Sequence, residues 1–170
     1  MSKSIFRSAI NRTLHLIARV APGARTLRPF LHRLRGVKVQ AGVWIGDDTY
    51  LDNEYPERIE LHENAGISMR ATLVAHTKGP GRIILEKDSF VGVGAVICCP
   101  GGREIRIGEG AVVGAGCVIT RSVEARTFVV APPVNAVAHV NVLYTQAADN
   151  NEFVCNLVPI KPARPQRKEP

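Results

Sequence analysis

Aliphatic residues recur every six positions through the middle of this chain, and that period constrains its fold more than any other feature. They fall into four sets of three: Val39, Ile45 and Leu51; Leu61, Ile67 and Leu73; Leu85, Val91 and Ile97; and Ile107, Val113 and Ile119. Four places after an anchor stands a second, mostly small residue: Val43, Thr49, Ala65, Ala71, Ser89, Ala95, Ala111, Cys117 or Val123. Such a period fits neither an α-helix nor a long flat strand. It predicts short strands separated by turns and stacked as a parallel β-helix.

The turn residues and the composition agree with this fold. Glycine follows several anchors directly, at positions 46, 92, 108 and 114, and we attribute these glycines to backbone freedom in the turn between strands. Aromatic residues are only 5% of the chain, as expected for a narrow interior filled by Val, Ile and Ala. Three units of six close a triangular coil of about 18 residues. The predicted fold class is therefore all-β, with about four coils.

Extra residues interrupt the period only after every third anchor. They form three segments, residues 52–60, 74–84 and 98–106. Each segment leaves the coil at the same corner, so the inserted loops are expected to stack along one edge of the prism. Loops carried by a rigid scaffold are where binding and catalytic residues concentrate. We therefore expect the functional site on this edge.

The N-terminal region, residues 1–36, is basic and helical in pattern. Nine Lys and Arg residues and no acidic residue precede Asp47. Apolar residues at helical spacing predict one helix over residues 5–20 and a second over 26–35, with Gly36 as a stop signal. Two interpretations of these amphipathic helices stay open. They cap the β-helix, which we favour because a repeat array needs its end covered, or they dock on an anionic membrane surface.

The repeat domain is assigned to residues 37–138 and a C-terminal extension to 139–170. Within the extension, residues 139–158 are expected to add a strand and a short helix. Its Pro-rich, basic end is expected to be disordered.

Several classes of protein do not match the sequence. No recognition helix or RNA-binding signature accompanies the basic ends, so we expect no nucleic-acid partner. The cysteines at 98, 99, 117 and 155 form no CxxC pair and no zinc spacing, and we interpret them as reduced thiols, with no metal site. No segment reaches the roughly 18 apolar residues of a membrane span, and polar residues interrupt any signal-peptide core. We expect a cytoplasmic protein, peripheral to the inner face of the membrane if the basic helices dock there.

The second inserted loop carries His76 in the segment LVAHT, just before the coil that opens with LEKDSFVG at residues 85–92. A later coil reads IGEGAVVGAGCVIT at residues 107–120. In these motifs, over roughly residues 36–135, the chain resembles the hexapeptide-repeat acyltransferases, especially galactoside, maltose and capsule- or polysaccharide-modifying O-acetyltransferases. The resemblance implies a left-handed β-helix, an acyl-coenzyme A donor such as acetyl-CoA, and a homotrimer with active sites between subunits.

The same resemblance makes His76 the general base that takes the proton of an acceptor hydroxyl as it attacks the thioester. An alcohol is a poor nucleophile until its proton leaves, and imidazole titrates near neutral pH, so histidine suits this task. On the first inserted loop, Asp52 or Asn53 matches an acceptor-contact position, and Tyr55 lies beside them. Arg70 is expected to face the same cleft.

Donor-binding positions are carried over to the later coils by register. They are Phe90, Gly92, Val93, Ala115, Thr120 and Arg121, with Arg121 as a phosphate partner. The closing stretch of the family resembles AGNPAKVI, whereas residues 131–137 read APPVNAV, without the expected Gly and Lys. That departure weakens the contacts assigned to this turn but not the class of donor. The acceptor, a saccharide or other small hydroxyl compound, an amine, an amino acid or an antibiotic, stays open.

Two other functions compete with an acyltransferase. A γ-type carbonic anhydrase shares the repeat but needs three metal-binding histidines, and His62 and His76 lack the paired spacing of that family. A non-catalytic β-helical scaffold or membrane-associated assembly module would use the basic helices. The inserted loops on one edge favour an enzyme over this scaffold.

Overall fold

A computed structural model describes residues 5–160 and contains a three-sided parallel β-helix. In chain order the elements are α1 (Ile5–Val20), α2 (Leu27–Arg35), β1 (Lys38–Val39), β2 (Trp44–Ile45), β3 (Tyr50–Leu51), β4 (Ile59–Leu61), β5 (Gly66–Ile67), β6 (Thr72–Thr77), β7 (Arg82–Leu85), β8 (Phe90–Val91), β9 (Val96–Pro100), β10 (Glu104–Ile107), β11 (Val112–Val113), β12 (Val118–Ile119), β13 (Phe128–Val129), β14 (Ala138–Val140), α3 (Asn150–Cys155) and β15 (Leu157–Pro159). The disorder predicted for the C-terminal end concerns residues 161–170, which lie outside the described range.

Three parallel sheets form the sides of the prism. Sheet A contains β1, β4, β7 and β10; sheet B contains β2, β5, β8, β11 and β13; sheet C contains β3, β6, β9 and β12. Anchors pair with anchors in every sheet, as Leu51 with Leu73 and Val91 with Val113. The predicted fold class is therefore confirmed, a left-handed β-helix of about four coils with a helical cap.

The interior is a column of aliphatic anchors flanked by small side chains. Leu51, Leu73 and Ile97 are fully buried, and Ala71 and Ala95 fill the corner beside them. Each fully buried aliphatic side chain stabilises the fold by about 1.5–3 kcal/mol. Two members of the small column are polar and hydrogen-bonded, since the Ser89 hydroxyl donates to Glu86 O at 2.6 Å and the Thr49 hydroxyl to Gly46 O at 2.9 Å. Both hydroxyls are therefore hydrogen-bonded although they are buried in the column.

Val123 differs from its predicted place. The period assigns it to the small inward column, but it pairs with Ile107 and is the next anchor of sheet A. The corner after Ile119 carries no insertion and is crossed in four residues, so the six-residue period fails there. The chain continues to β13, which adds a fifth strand to sheet B.

The glycines that follow the anchors are needed because the backbone of the next coil passes close to them. The prediction that they supply backbone freedom in the turn is wrong. A Cβ on Gly46 would lie 2.5 Å from Met69 N, and one on Gly92 would lie 2.7 Å from Ala115 N. Neither glycine has a positive φ. The backbone of the next coil passes too near for any side chain at these positions.

Left-handed backbone conformation is needed two residues further along each turn. Asp48, Asn64, Arg70 and Asp88 all stand three places after an anchor, with φ between 55° and 58°. Asn and Asp tolerate this region better than other non-glycine residues. The left-handed backbone conformation at these corners therefore explains why Asp and Asn recur there.

All three inserted segments leave the prism between sheets C and A. β6 and β9 extend into the second and third loops, and the chain returns through β7 and β10. The loops stack through backbone hydrogen bonds, Gly101 N donating to Thr77 O and Gly102 N to Pro80 O, both at 3.0 Å. We call this corner the inserted edge.

The helical cap packs on the first coil through polar side chains. Arg28 and Arg35 of α2 are buried; Arg28 donates to Ile45 O at 2.8 Å, and Arg35 donates to Leu51 O at 3.1 Å. His15 of α1 is buried edge-on against the Tyr50 ring, with 4.9 Å between ring centroids. Each arginine thus supplies charged donors to backbone carbonyls at the end of the prism.

An ionic ladder covers the outer face of sheet A. Lys38 contacts Glu60 at 2.7 Å, Glu60 contacts Arg82 at 2.6 Å, and Arg82 contacts Glu104 at 3.2 Å. Partial burial raises the pKa of Glu60, but hydrogen bonds from Lys38 and Arg82 outweigh it and hold that pKa below its ordinary value. This outer face of the prism is therefore polar and charge-paired.

A second compact unit begins at Pro132. Its strands β14 and β15 pair antiparallel, and α3 between them is capped by Asp149, which accepts a hydrogen bond from Glu152 N at 2.8 Å. The extension thus contains two strands and a helix, one strand more than predicted. None of the helices within residues 5–160 is long and apolar enough to cross a membrane.

Candidate active site

His76 and Asp52 meet on the inserted edge. His76 lies near the end of β6 where that strand enters the second loop, and Asp52 directly follows β3 one coil earlier. His76 Nδ1 lies 2.5 Å from Asp52 Oδ2. The Asp52 side chain is fully buried, whereas 34% of the His76 side chain is exposed. A small molecule can therefore reach the imidazole but not the carboxyl group behind it.

The hydrogen bonds around Asp52 fix the direction of its contact with His76. Asp52 Oδ1 accepts from Glu54 N at 2.8 Å and Tyr55 N at 3.0 Å, and Oδ2 accepts from Ala75 N at 2.7 Å. A carboxyl group that already accepts three backbone N–H groups acts as an acceptor in its fourth contact as well. His76 Nδ1 therefore carries the proton, and Nε2 presents its lone pair.

Tyr55 forms one wall beside the imidazole. Its ring centroid lies 5.6 Å from that of His76, with the rings tilted by 56°. The Tyr55 backbone N–H is one of the donors to Asp52. One short loop therefore holds the carboxyl group and also places an aromatic side chain next to the histidine.

Arg35 supports this loop from the helical cap. Its guanidinium donates to Asp52 O at 2.9 Å and to Asn53 Oδ1 at 2.7 Å. It also donates to His32 Nδ1 at 2.9 Å, so that nitrogen is an acceptor. Burial first, and the positive charge of Arg35 second, lower the pKa of His32 to about 3, and burial lowers the pKa of Arg35 to about 10. No sequence signal marks Arg35, because three of its four hydrogen-bond partners, two of them backbone carbonyls, lie in a distant segment.

The acceptor positions predicted from the sequence are only partly brought together. Tyr55 and His76 are neighbours, and the Asn53 amide oxygen is engaged by Arg35. Asp52 is too buried to contact an acceptor, so its predicted acceptor role is replaced by a contact with His76. Arg70 lies at the corner between sheets B and C, not on the inserted edge.

The predicted donor positions are distributed over two corners and one face. Phe90 lies on the outer face of sheet B, where its ring stacks near Trp44 with 6.4 Å between centroids. Val93 and Ala115 are exposed at the corner between sheets B and C, whereas Gly92 is buried against the next coil. Thr120 and Arg121 follow sheet C on the inserted edge and line an open cavity of about 520 Å³ at the end of the prism.

The side chains of the inserted edge offer a base and its orienting carboxylate but no cluster of metal ligands. Across residues 5–160, no three His, Cys, Asp or Glu side chains are grouped closely enough to hold an ion. The arrangement of His76 and Asp52 is suited to proton transfer at His76 Nε2.

Comparison with known proteins supports the resemblance carried by the repeat. The chain is 31% identical over 77 residues to 2,3,4,5-tetrahydropyridine-2,6-dicarboxylate N-acetyltransferase of Staphylococcus aureus. The match covers 45% of this chain and 30% of that protein, so the chain spans less than a third of the relative it matches. No protein-family model matches the chain.

Solved structures with the same architecture include a hexapeptide-repeat acetyltransferase from Vibrio cholerae, at 18% identity and a TM-score of 0.51, covering 76% of this chain and 90% of that one. A serine acetyltransferase from Neisseria gonorrhoeae aligns over 78% of this chain and 54% of its own, at 25% identity and a TM-score of 0.47. The six-residue repeat folds as a hexapeptide-repeat β-helix, and over 77 residues its sequence is similar to that of an N-acetyltransferase.

Proposed function

We propose that the protein is an acyltransferase that moves an acetyl or other acyl group from acyl-coenzyme A to a hydroxyl of a small or saccharide acceptor. The observation that carries the proposal is the pairing of His76 with the buried Asp52 on the inserted edge. The similarity to an acetyltransferase supports the class of reaction.

In this reaction His76 Nε2 accepts the proton of the acceptor hydroxyl while the oxygen attacks the thioester carbonyl carbon. A tetrahedral intermediate forms, its C–S bond breaks, and the coenzyme A sulfur leaves as thiolate, which takes the proton back from the His76 imidazolium. Asp52 keeps the proton of the imidazole on Nδ1 and stabilises the imidazolium that forms at His76. General-base assistance of this kind is worth about 10²–10⁴ in rate.

We further propose that the working site lies between subunits of a homotrimer. The positions assigned to donor and acceptor divide between the inserted edge, which carries His76 and Thr120, and the corner between sheets B and C, which carries Val93 and Ala115. The two corners are separated by the whole width of sheet C. A neighbouring copy that lends its B–C corner to the inserted edge would complete one site from two chains.

The acceptor is proposed to be a hydroxyl compound, with a saccharide as first candidate. Thr120 and Arg121 line the cavity at the end of the prism, and the arginine suits a phosphate of the donor. The matched relative is an N-acetyltransferase by name, so amines belong in the same acceptor panel.

The experiment is thiol release from acetyl-coenzyme A with a panel of saccharides, hydroxy acids and amines. We expect thiol release with at least one acceptor and a loss of about 10²-fold or more in kcat for His76→Ala. His62→Ala is the matched control, because 32% of its side chain is exposed against 34% for His76 and it lies off the inserted edge. It should keep wild-type turnover.

Calorimetric titration with coenzyme A alone separates a wrong acceptor panel from a wrong function. Coenzyme A binding without turnover would leave only the acceptor unidentified. If wild-type protein neither releases thiol nor binds coenzyme A, the acyltransferase proposal fails. Light scattering of the purified protein measures the trimer directly.

A further inference from the structure

The two helices of the cap present their apolar sides to solvent, the reverse of an ordinary packed helix. In α1 the buried residues are Asn11, His15 and Ala18, whereas Phe6 and Val20 are 75% and 80% exposed. With 3.6 residues per turn, the exposed apolar residues of α1 lie within about 120° of one another. They are Phe6, Ile10, Leu16, Ile17 and Val20.

α2 repeats this inversion. It buries Arg28, His32 and Arg35 against the first coil, and it exposes Leu27, Phe30 and Leu34. α1 and α2 pack side by side through Ala18 and Leu31. Since both helices turn their polar sides to the prism, their apolar sides face away from it together. We call the eight exposed apolar residues of α1 and α2 the apolar cap face.

The charges that the cap segment itself carries have one sign, and the nearest carboxylates of the first coil, Asp47, Asp48 and Glu54, are each paired with an arginine of the cap. No Asp or Glu occurs from residue 5 to residue 46. Arg25 and Arg33 are exposed and donate to backbone carbonyl oxygens, Gly42 O and Val39 O, so these contacts leave their positive charge in place. Arg7 is exposed on α1 next to the apolar arc. A wide apolar surface with a cationic border is complementary to anionic headgroups above acyl chains.

We propose that the apolar cap face docks on an anionic phospholipid bilayer, with α1 and α2 lying in the plane of the interface. The exposed aliphatic and aromatic side chains enter the boundary between headgroups and acyl chains, and the arginines at the border contact lipid phosphates. The polar undersides of the helices stay bonded to the first coil, so the β-helix is held at the membrane surface without unfolding of the cap. This inference is independent of any catalytic activity.

The test is co-sedimentation of the full chain with vesicles of equimolar phosphatidylcholine and phosphatidylglycerol, beside vesicles of phosphatidylcholine alone. We expect binding to the anionic vesicles, weaker binding to the neutral ones, and weakening of the former by salt. The variant I17S/F30S should lose at least about tenfold in vesicle affinity, because burial of each side chain is worth at least that factor. The matched control V118S/F128S removes apolar side chains of the β-helix that are more exposed still, at 68% and 66% against 47% and 51%, and should bind as wild type does.

Three results would overturn the proposal. They are failure of the folded wild-type chain to bind anionic vesicles, equal binding by I17S/F30S, and equal loss of binding by V118S/F128S. Sedimentation equilibrium tests whether a second copy of the chain covers the face instead. If wild type does not bind vesicles and I17S/F30S has a lower mass than wild type, the face joins two copies of the chain. Circular dichroism of each variant ensures that loss of binding is not loss of fold.

Discussion

The substitution Asp52→Asn tests the active-site geometry most directly. It replaces one carboxyl oxygen by an NH₂ group of nearly the same size, at a residue surrounded only by donors. If the amide oxygen keeps the contacts to Glu54 N and Tyr55 N, its nitrogen faces Ala75 N and His76 Nδ1. The imidazole must then accept at Nδ1, which moves its proton to Nε2.

The size of the effect follows from these contacts. The buried Ala75 N–H loses its acceptor, which costs about 1–3 kcal/mol of folding stability. In the proposed mechanism His76 acts as a base through Nε2, so a proton on that nitrogen should lower kcat by about 10²–10⁴ while KM for the acceptor stays nearly constant. The opposite orientation of the amide leaves two backbone donors without an acceptor and is less favourable still.

Nuclear magnetic resonance and kinetics measure the two consequences separately. Long-range ¹H–¹⁵N correlation of the His76 ring should show the proton on Nδ1 in wild type and on Nε2 in Asp52→Asn, whether or not an acceptor is known. Thermal unfolding gives the loss of stability. The reasoning is refuted if the variant keeps the wild-type tautomer, or if its kcat stays within about threefold of wild type.

Three further predictions concern stability and are measured by urea unfolding. Gly92→Ala should lower the free energy of unfolding by more than about 3 kcal/mol, because its Cβ would meet Ala115 N at 2.7 Å. Gly94→Ala has open space and a φ of +63°, and it should lower that energy by only about 1–2 kcal/mol. Equal losses would contradict the close-approach explanation. Burial lowers the pKa values of His15 and His32 to about 4 and about 3, so the unfolded chain binds protons first as the pH falls below 6.5. Each histidine should therefore lower the free energy of unfolding by about 3 kcal/mol by pH 4. A stability that does not change from pH 7 to 4 would contradict this. Arg35→Met should lose about 3 kcal/mol or more, since Leu51 O, Asp52 O and Asn53 Oδ1 lose a donor together; an unchanged midpoint would show that these contacts contribute nothing.

The anchors of the β-helix could be predicted because a strict period is a local property of the sequence. The structure pairs Leu61 with Leu85 and Ile97 with Ile119, as the spacing requires. Val123 was placed wrongly because the chain crosses the corner between sheets C and A in only four residues after Ile119, two fewer than the period. The role of Gly92 was also wrong, because it depends on how near the next coil passes, and a turn signal in one strand does not contain that distance.

The sequence predicted where the candidate site lies but not the role of each residue in it. The shared corner of the insertions placed Asp52 and His76 on one edge, but burial of the Asp52 side chain decides that it contacts the histidine rather than an acceptor. Helical periodicity likewise located α1 and α2 but not the side by which they pack. Arg28 and Arg35 are buried through backbone carbonyls of the first coil, and such long-range contacts leave no pattern within the helix itself.

The ionic ladder on sheet A has a consequence for how the coils assemble. Each of its partly exposed pairs adds little to the free energy of folding. Their order matters more, because positive and negative side chains alternate along Lys38, Glu60 and Arg82. A chain that skipped the coil of β4 would bury equivalent aliphatic anchors, but it would place Lys38 opposite Ile84 and diagonal to Arg82. Both ion pairs of Glu60 would then be lost, and two like charges would be neighbours. The buried anchors of the coils are nearly interchangeable. The alternating surface charges therefore favour pairing of each coil with its correct neighbour.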